Sequence, residues 1–170
     1  KVLIRFKNIM SGFSPKLAYG RHTSSFVEND RFSVITISKD TKALAKKNAV
    51  MFEARLKNII NTIKDLGSEP ICVTQPHRFV IVKSGVRYGF SNIFSKENIA
   101  YSGLDFDYSL QEINRRIKKI CGNENTIDLY NQTFLDSDFY DFVHTTPKGS
   151  TKLGNLIAEK IIESSLIDKL

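Results

Sequence analysis

The sequence predicts an α/β protein built around a mainly parallel sheet. Segments with helical periodicity alternate with short apolar runs, and glycine or proline stands at most of the boundaries. The spacing predicts a first helix from about Ala43 to Leu66, with Ala45, Ala49, Phe52, Leu56, Ile59, Ile60 and Ile63 on one face. Gly67 follows as its C-terminal cap. Ile71-Cys72-Val73-Thr74 then reads as a strand that stops at Pro76, because proline cannot donate to a central ladder. A second helix is predicted from Tyr108 to Cys121, with Leu110, Ile113, Ile117 and Ile120 inward and Gly122 at its end. Thr126 to Tyr130 is the next strand. A closing helix carries Leu153, Leu156, Ile157, Ile161 and Leu166 at helical spacing. Val2 to Phe6 and Phe32 to Ile37 read as further strands. Helix–strand alternation of this kind implies right-handed crossovers between parallel strands.

At 170 residues, with 41% hydrophobic and 25% charged side chains, the chain suits one soluble domain. No internal repeat or linker divides it. No apolar run approaches the ~20 residues that a membrane-spanning helix needs. Lys1 to Lys7 is neither a signal peptide nor an initiator sequence, so the chain is expected to begin partway through a longer protein. Its net charge is +7, and the densest basic run is Arg115-Arg116-Ile117-Lys118-Lys119. Because that run sits within the second helix, its charges are expected on the solvent face and not on a specific nucleic-acid surface. Cys72 and Cys121 are far apart and each lies in an apolar element. They are expected to be buried free thiols, with a lean toward a reducing compartment and the localisation otherwise open.

The connection from His77 to Tyr108 far exceeds the ~15 residues beyond which unstructured loops become uncommon. It carries Phe79, Tyr88, Phe90, Phe94, Tyr101, Phe106 and Tyr108, and it leaves the C-terminal end of a strand, where open α/β sheets bind ligands. Two readings fit: an insertion with its own small core, or a substrate-binding segment.

The richest stretch for chemistry is Asp141-Phe142-Val143-His144, followed by Thr145-Thr146-Pro147-Lys148-Gly149. Thr146 can cap the closing helix with its hydroxyl, and Pro147 fits the first helical position, where its missing N–H costs nothing. A carboxylate three residues before a histidine on one short turn can fix the imidazole tautomer and stabilise the imidazolium form. That is the supporting half of a Ser-His-Asp site. Neither G-x-x-x-x-G-K-[ST] nor G-x-G-x-x-G occurs, which argues against a phosphate-binding enzyme. His77, Asp141 and His144 are ligand types that suit zinc, yet no close spacing such as H-E-x-x-H is present. His22 falls in an exposed Gly20-Arg21-His22-Thr23 loop.

This block, with Gly149 in the first turn of the helix, resembles the last conserved block of the SGNH (GDSL-type) hydrolases. Thr74-Gln75-Pro76 is similar to a strand ending common in bacterial members. Ile113-Asn114 and Ile127-Asp128-Leu129 match the usual approach to the final block. The resemblance covers roughly Ala43 to Ile162. It implies a three-layer α/β/α fold of flavodoxin-like type, possibly incomplete on its N-terminal side, and a serine esterase acting on a lipid ester or a carbohydrate O-acetyl group. It makes His144 the general base and Asp141 its orienting carboxylate, with no cofactor. Substrate contacts are expected from Gln75, His77, Tyr88 and Tyr101. The family's Gly-Asp-Ser motif is absent. Ser11-Gly12-Phe13-Ser14 does not replace it, and Glu28-Asn29-Asp30 is the nearest approach to the family's Gly-x-Asn-Asp block. The nucleophile is therefore expected upstream, with the missing N-terminal portion or a second, self-associating chain as partner, since a sheet lacking strands leaves an open edge. The alternative is an inactive basic module that binds glycans or nucleic acid.

Overall fold

The structure, a computed structural model, describes residues 32–34, 37, 39–91, 94–96 and 99–163. The elements run β1 (Phe32–Ser33), α1 (Lys39–Asp65), β2 (Cys72–Val73), β3 (Val80–Lys83), β4 (Val86–Phe90), β5 (Phe94–Lys96), β6 (Ile99–Tyr101), α2 (Gly103–Cys121), β7 (Thr126–Ile127), a 3-10 turn (Asp136–Asp138) and α3 (Pro147–Glu163). The segment Val2 to Phe6, His22, Ser11, Ser14 and Glu28 to Asp30 lie outside the described residues.

All three predicted helices are present, and their ends follow local chemistry. At the end of α1, Gly67 adopts φ +75° and donates to the Lys64 carbonyl, while Ser68 donates to Ile63. This is the double bond of a Schellman cap, which favours glycine because φ is positive. Helix α2 begins five residues before the expected Tyr108. Ser102 and Asp105 form a capping box there: the Ser102 side chain accepts from the Asp105 amide, and Asp105 accepts from the Ser102 amide at 2.8 Å. Helix α3 begins at Pro147 as expected. Thr146 Oγ1 accepts from the Gly149 amide at 3.2 Å.

The sheet differs from the expected architecture. In place of one mainly parallel sheet in three layers, the described strands form a three-stranded antiparallel sheet in the order β1-β4-β3, a parallel pair β2-β7 and an antiparallel pair β5-β6. The parallel component is the two-residue ladder Cys72↔Thr126 and Val73↔Ile127, joined through α2. It stops where Thr74 turns its hydroxyl inward, donating to Asp128 and accepting from the Tyr130 amide, both at 2.9 Å. The segment read as an unstructured connection pairs with itself. A two-residue turn at Ser84-Gly85, φ 50° and 76°, closes the β3–β4 hairpin. Phe32 and Ser33 join β4 antiparallel instead of entering a parallel sheet. Its rings pack within the segment (Phe79 on Phe106 at 5.0 Å) and on rings outside it (Phe90 on Phe32 at 5.3 Å).

Between α1 and α2, part of the basic run pairs with a buried carboxylate. Glu53 on α1 is 7% exposed and is paired with Lys57 at 3.0 Å, Lys119 at 3.3 Å and Arg116. Arg115 pairs with Glu112 and Lys118 with Asp128. Arg115 and Lys119 lie on the solvent face as expected, with side chains 57% and 61% exposed, whereas the Arg116 side chain is only 18% exposed and reaches Glu53 on the other helix. Hydrogen bonds from Lys57 and then Arg116 outweigh burial and hold the Glu53 carboxyl at about 2, below its ordinary 4.5. A carboxyl held low favours the folded state above its unfolded value and loses that advantage as pH falls toward its folded value. Stability is therefore expected to fall between pH 4.5 and 2, and Glu53→Gln should flatten that slope in urea titrations at stepped pH. An equally steep slope in the variant would assign the acid sensitivity elsewhere.

The two cysteines are not free thiols. Cys72 at the start of β2 and Cys121 at the end of α2 form a disulfide, with Cα atoms 6.3 Å apart. The crossover brings the last turn of α2 beside β2, a proximity that sequence separation hides. No helix among the described residues is long and apolar enough to cross a membrane.

Candidate active site

The segment between the 3-10 turn and α3 is a short hairpin-like loop. Phe139 and Thr145 bridge antiparallel, and the Tyr140 amide donates to the His144 carbonyl at 2.8 Å. At its tip Asp141 folds back on its own backbone: Oδ1 accepts from the amides of Val143 and His144, each at 2.8 Å. This side-chain-to-backbone turn orients the carboxylate. Oδ2 is then left for the imidazole, and His144 Nδ1 lies 2.6 Å from it.

The electrostatics agree with this geometry. Burial pushes the Asp141 carboxyl up, but the backbone amides of His144 and Val143, with the His144 ring, outweigh it and leave the carboxyl below its ordinary value. An ionised Asp141 only accepts, so the neutral His144 ring carries its proton on Nδ1. Nε2 then presents a lone pair. The His144 side chain is 77% exposed, and no described residue hydrogen-bonds to Nε2. The pair can therefore take a proton from a group approaching from solvent and stabilise the resulting imidazolium.

The loop is seated by the start of α3. The Thr146 amide donates to the Asp138 carbonyl at 2.9 Å, and the Thr146 hydroxyl donates to the Ser137 carbonyl at 3.1 Å. Asp138 is 1% exposed. The first turn of α3 approaches it so closely that a Cβ on Gly149 would stand 2.0 Å from the Asp138 carbonyl oxygen. Gly149→Ala is expected to cost on the order of 2 kcal/mol, since the 3-10 turn and the helix must separate. The same variant should broaden the His144 ring signals in NMR spectra. A stability change below ~0.5 kcal/mol would show that this junction yields freely.

His77, expected among the substrate contacts, is buried: its side chain is 4% exposed, and its Nε2 lies 3.1 Å from Asp107 Oδ1. Nδ1 accepts from the Phe79 amide at 3.0 Å, so the neutral ring carries its proton on Nε2, toward the carboxylate. Asp107 also accepts from Arg87 at 2.7 Å, Tyr130 at 2.6 Å and Gln111 at 2.7 Å. Burial raises the Asp107 carboxyl, but His77, Tyr130 and Arg87 more than offset it and hold it below its ordinary value. Desolvation, then hydrogen bonding to that carboxylate, pushes the Tyr130 phenol up to about 12.

Among the other expected contacts, Gln75 is exposed and donates to the Pro76 carbonyl. Tyr88 lies half-buried on β4 opposite Ile81, and Tyr101 packs its ring 6.1 Å from Phe106. No described hydrogen bond or ring contact joins Gln75, Tyr88 or Tyr101 to Asp141 or His144. The structure thus brings together Asp141 and His144. It adds Asp107, Arg87, Tyr130 and Gln111, which the sequence reading missed. The available signal was register: Asp107 falls on the buried side of α2 with Leu104, Asn114 and Cys121, where a carboxylate needs partners. No group of three His, Cys, Asp or Glu side chains among the described residues is placed to hold a metal. No family model, curated protein or solved structure matches the chain.

Proposed function

We propose that Asp141 and His144 are the general-base half of a serine-type ester hydrolase, with the serine supplied from outside the described residues. One observation carries this reading: the 2.6 Å contact between Asp141 and Nδ1, with Nε2 turned to solvent on a 77% exposed ring. In the reaction, Nε2 removes the proton of a serine hydroxyl as it attacks the ester carbonyl. The proton then passes to the leaving alcohol, and Asp141 holds the imidazolium throughout. The Asp-x-x-His order before a capped helix is also the feature by which the chain resembles the SGNH hydrolases. That resemblance implies a lipid ester or a carbohydrate O-acetyl group as substrate.

The test is labelling of the 170-residue chain with a fluorophosphonate, read by intact mass and peptide mapping. A stoichiometric serine adduct that disappears in His144→Ala supports the proposal. A folded chain that takes no label and hydrolyses no aryl acetate overturns hydrolysis by this chain. It would leave a chain that carries only the Asp141–His144 half of a site, with its serine upstream, or an inactive glycan- or nucleic-acid-binding module.

A further inference from the structure

The buried His77 and the exposed His144 lie on neighbouring turns, and the contacts between those turns form a continuous path. Gln111 from α2, Arg87 from β4 and Tyr130 from the segment after β7 converge on the Asp107 carboxylate of α2, which also receives His77 Nε2. The other nitrogen of His77 accepts the Phe79 amide, so the ring sets the course of the backbone from 77 to 79. That backbone meets the tip of the active-site loop directly. The Arg78 amide donates to the Phe142 carbonyl at 2.9 Å, and Phe79 stacks on Phe142 at 5.2 Å with a 14° interplanar angle. Phe90 adds an edge-on contact to Phe142 at 4.9 Å. Phe142 lies inside the turn whose amides fix Asp141.

We propose that His77 is a positioning residue. Its buried pairing with Asp107 holds the 77–79 turn against Phe142 and thereby aims Asp141 at His144. The bridge from Phe139 to Thr145 and the Thr146 cap secure the ends of the loop, whereas Phe142 secures its tip. A ring at position 77 that only filled space would keep the aromatic packing without this control. The functional consequence rests on the proposed hydrolase reading, but the geometric link does not.

The experiment compares the chain with His77→Phe, which keeps a ring and removes both hydrogen bonds, and with His77→Gln, which can restore the donor to Asp107. Two NMR readouts report on the loop: hydrogen exchange of the Val143 and His144 amides, and the low-field Nδ1–H proton of His144. In His77→Phe those amides are expected to exchange ~10-fold faster and the Nδ1–H signal to vanish, with α1 and α2 amides within about twofold of the parent. His77→Gln should recover part of both signals. Unchanged exchange and an intact Nδ1–H signal in folded His77→Phe would overturn the proposal. So would a uniform rise across α1 and α2, which marks a merely structural role. If His77→Phe does not fold, Tyr130→Phe decides, because it removes one donor to Asp107. Exchange at Val143 and His144 must then rise ~3-fold while α2 stays unchanged, and no rise overturns the proposal. Neither readout needs turnover. A chain that fails to react with fluorophosphonate therefore leaves this result standing, and the two failures are distinguishable.

Discussion

Reducing the Cys72–Cys121 disulfide is expected to lower the stability of the folded chain by about 4 kcal/mol, the chain-entropy value for a cross-link spanning 49 residues. Domains of ordinary size are stable by only about 5–15 kcal/mol, so this is a large share. At roughly 2–4 °C per kcal/mol for a chain of this length, the melting temperature should fall by on the order of 10 °C. The link ties the C-terminal end of α2 to the start of β2, beside Ile117 and the Ile59–Ile63 stretch of α1. The parallel β2–β7 ladder is only two residues long, so it adds few hydrogen bonds of its own to hold that end. Melting curves with and without reductant, set beside a Cys72→Ser/Cys121→Ser double variant, make the comparison. Coincident curves would mean that the unfolded chain gains little freedom from opening the loop. The Asp107 network lies at the other end of α2, so reduction should leave the His144 Nδ1–H signal of the folded protein in place.

What the sequence made legible was local. The start of α3 needed a hydroxyl at Thr146 and tolerance for a missing amide at Pro147, and both are properties of single residues. The Asp141–His144 contact likewise arises within four residues, where a short turn leaves few arrangements. The end of α1 was readable from Gly67 for the same reason. What failed was pairing at a distance. The runs Ile71 to Thr74 and Thr126 to Tyr130 suggest strands of a larger parallel sheet, yet Thr74 turns inward after a two-residue ladder to bond Asp128 and Tyr130, and nothing local announces that partner. Val80 to Val82 is an apolar run and Val86 to Phe90 alternates, so both sides of Ser84-Gly85 suit a hairpin, although the same aromatics also suit ligand contacts. The start of α2 was missed because its capping box uses aspartate at the third position where glutamate or glutamine is the usual sign. A basic run suggests an outer face for Arg116. At 100° per residue, however, it lies near enough to Ile113 and Ile120 to reach Glu53 on the neighbouring helix.

His144→Ala is expected to reduce ester hydrolysis by ~10³-fold or more in the form of the protein that takes the fluorophosphonate label, because the serine loses its proton acceptor. Folding should be unaffected: the ring is 77% exposed, and its one described side-chain partner is Asp141, which keeps its bond from the Val143 amide. Asp141→Asn separates orientation from proton transfer. Its Oδ1 can still accept from Val143 and His144, so the turn survives. Its amide nitrogen, however, now faces His144 Nδ1 as a donor and forces the imidazole proton onto Nε2. The lone pair needed at Nε2 is lost although the histidine remains, so Asp141→Asn should be impaired about as severely as His144→Ala, or somewhat less. The pattern to look for is a fall in kcat with KM little changed in both variants, since neither residue is expected to bind substrate in the ground state. An Asp141→Asn variant with parent-like kcat would show that His144 takes its tautomer without help. Parent-like kcat in His144→Ala would end the hydrolase proposal.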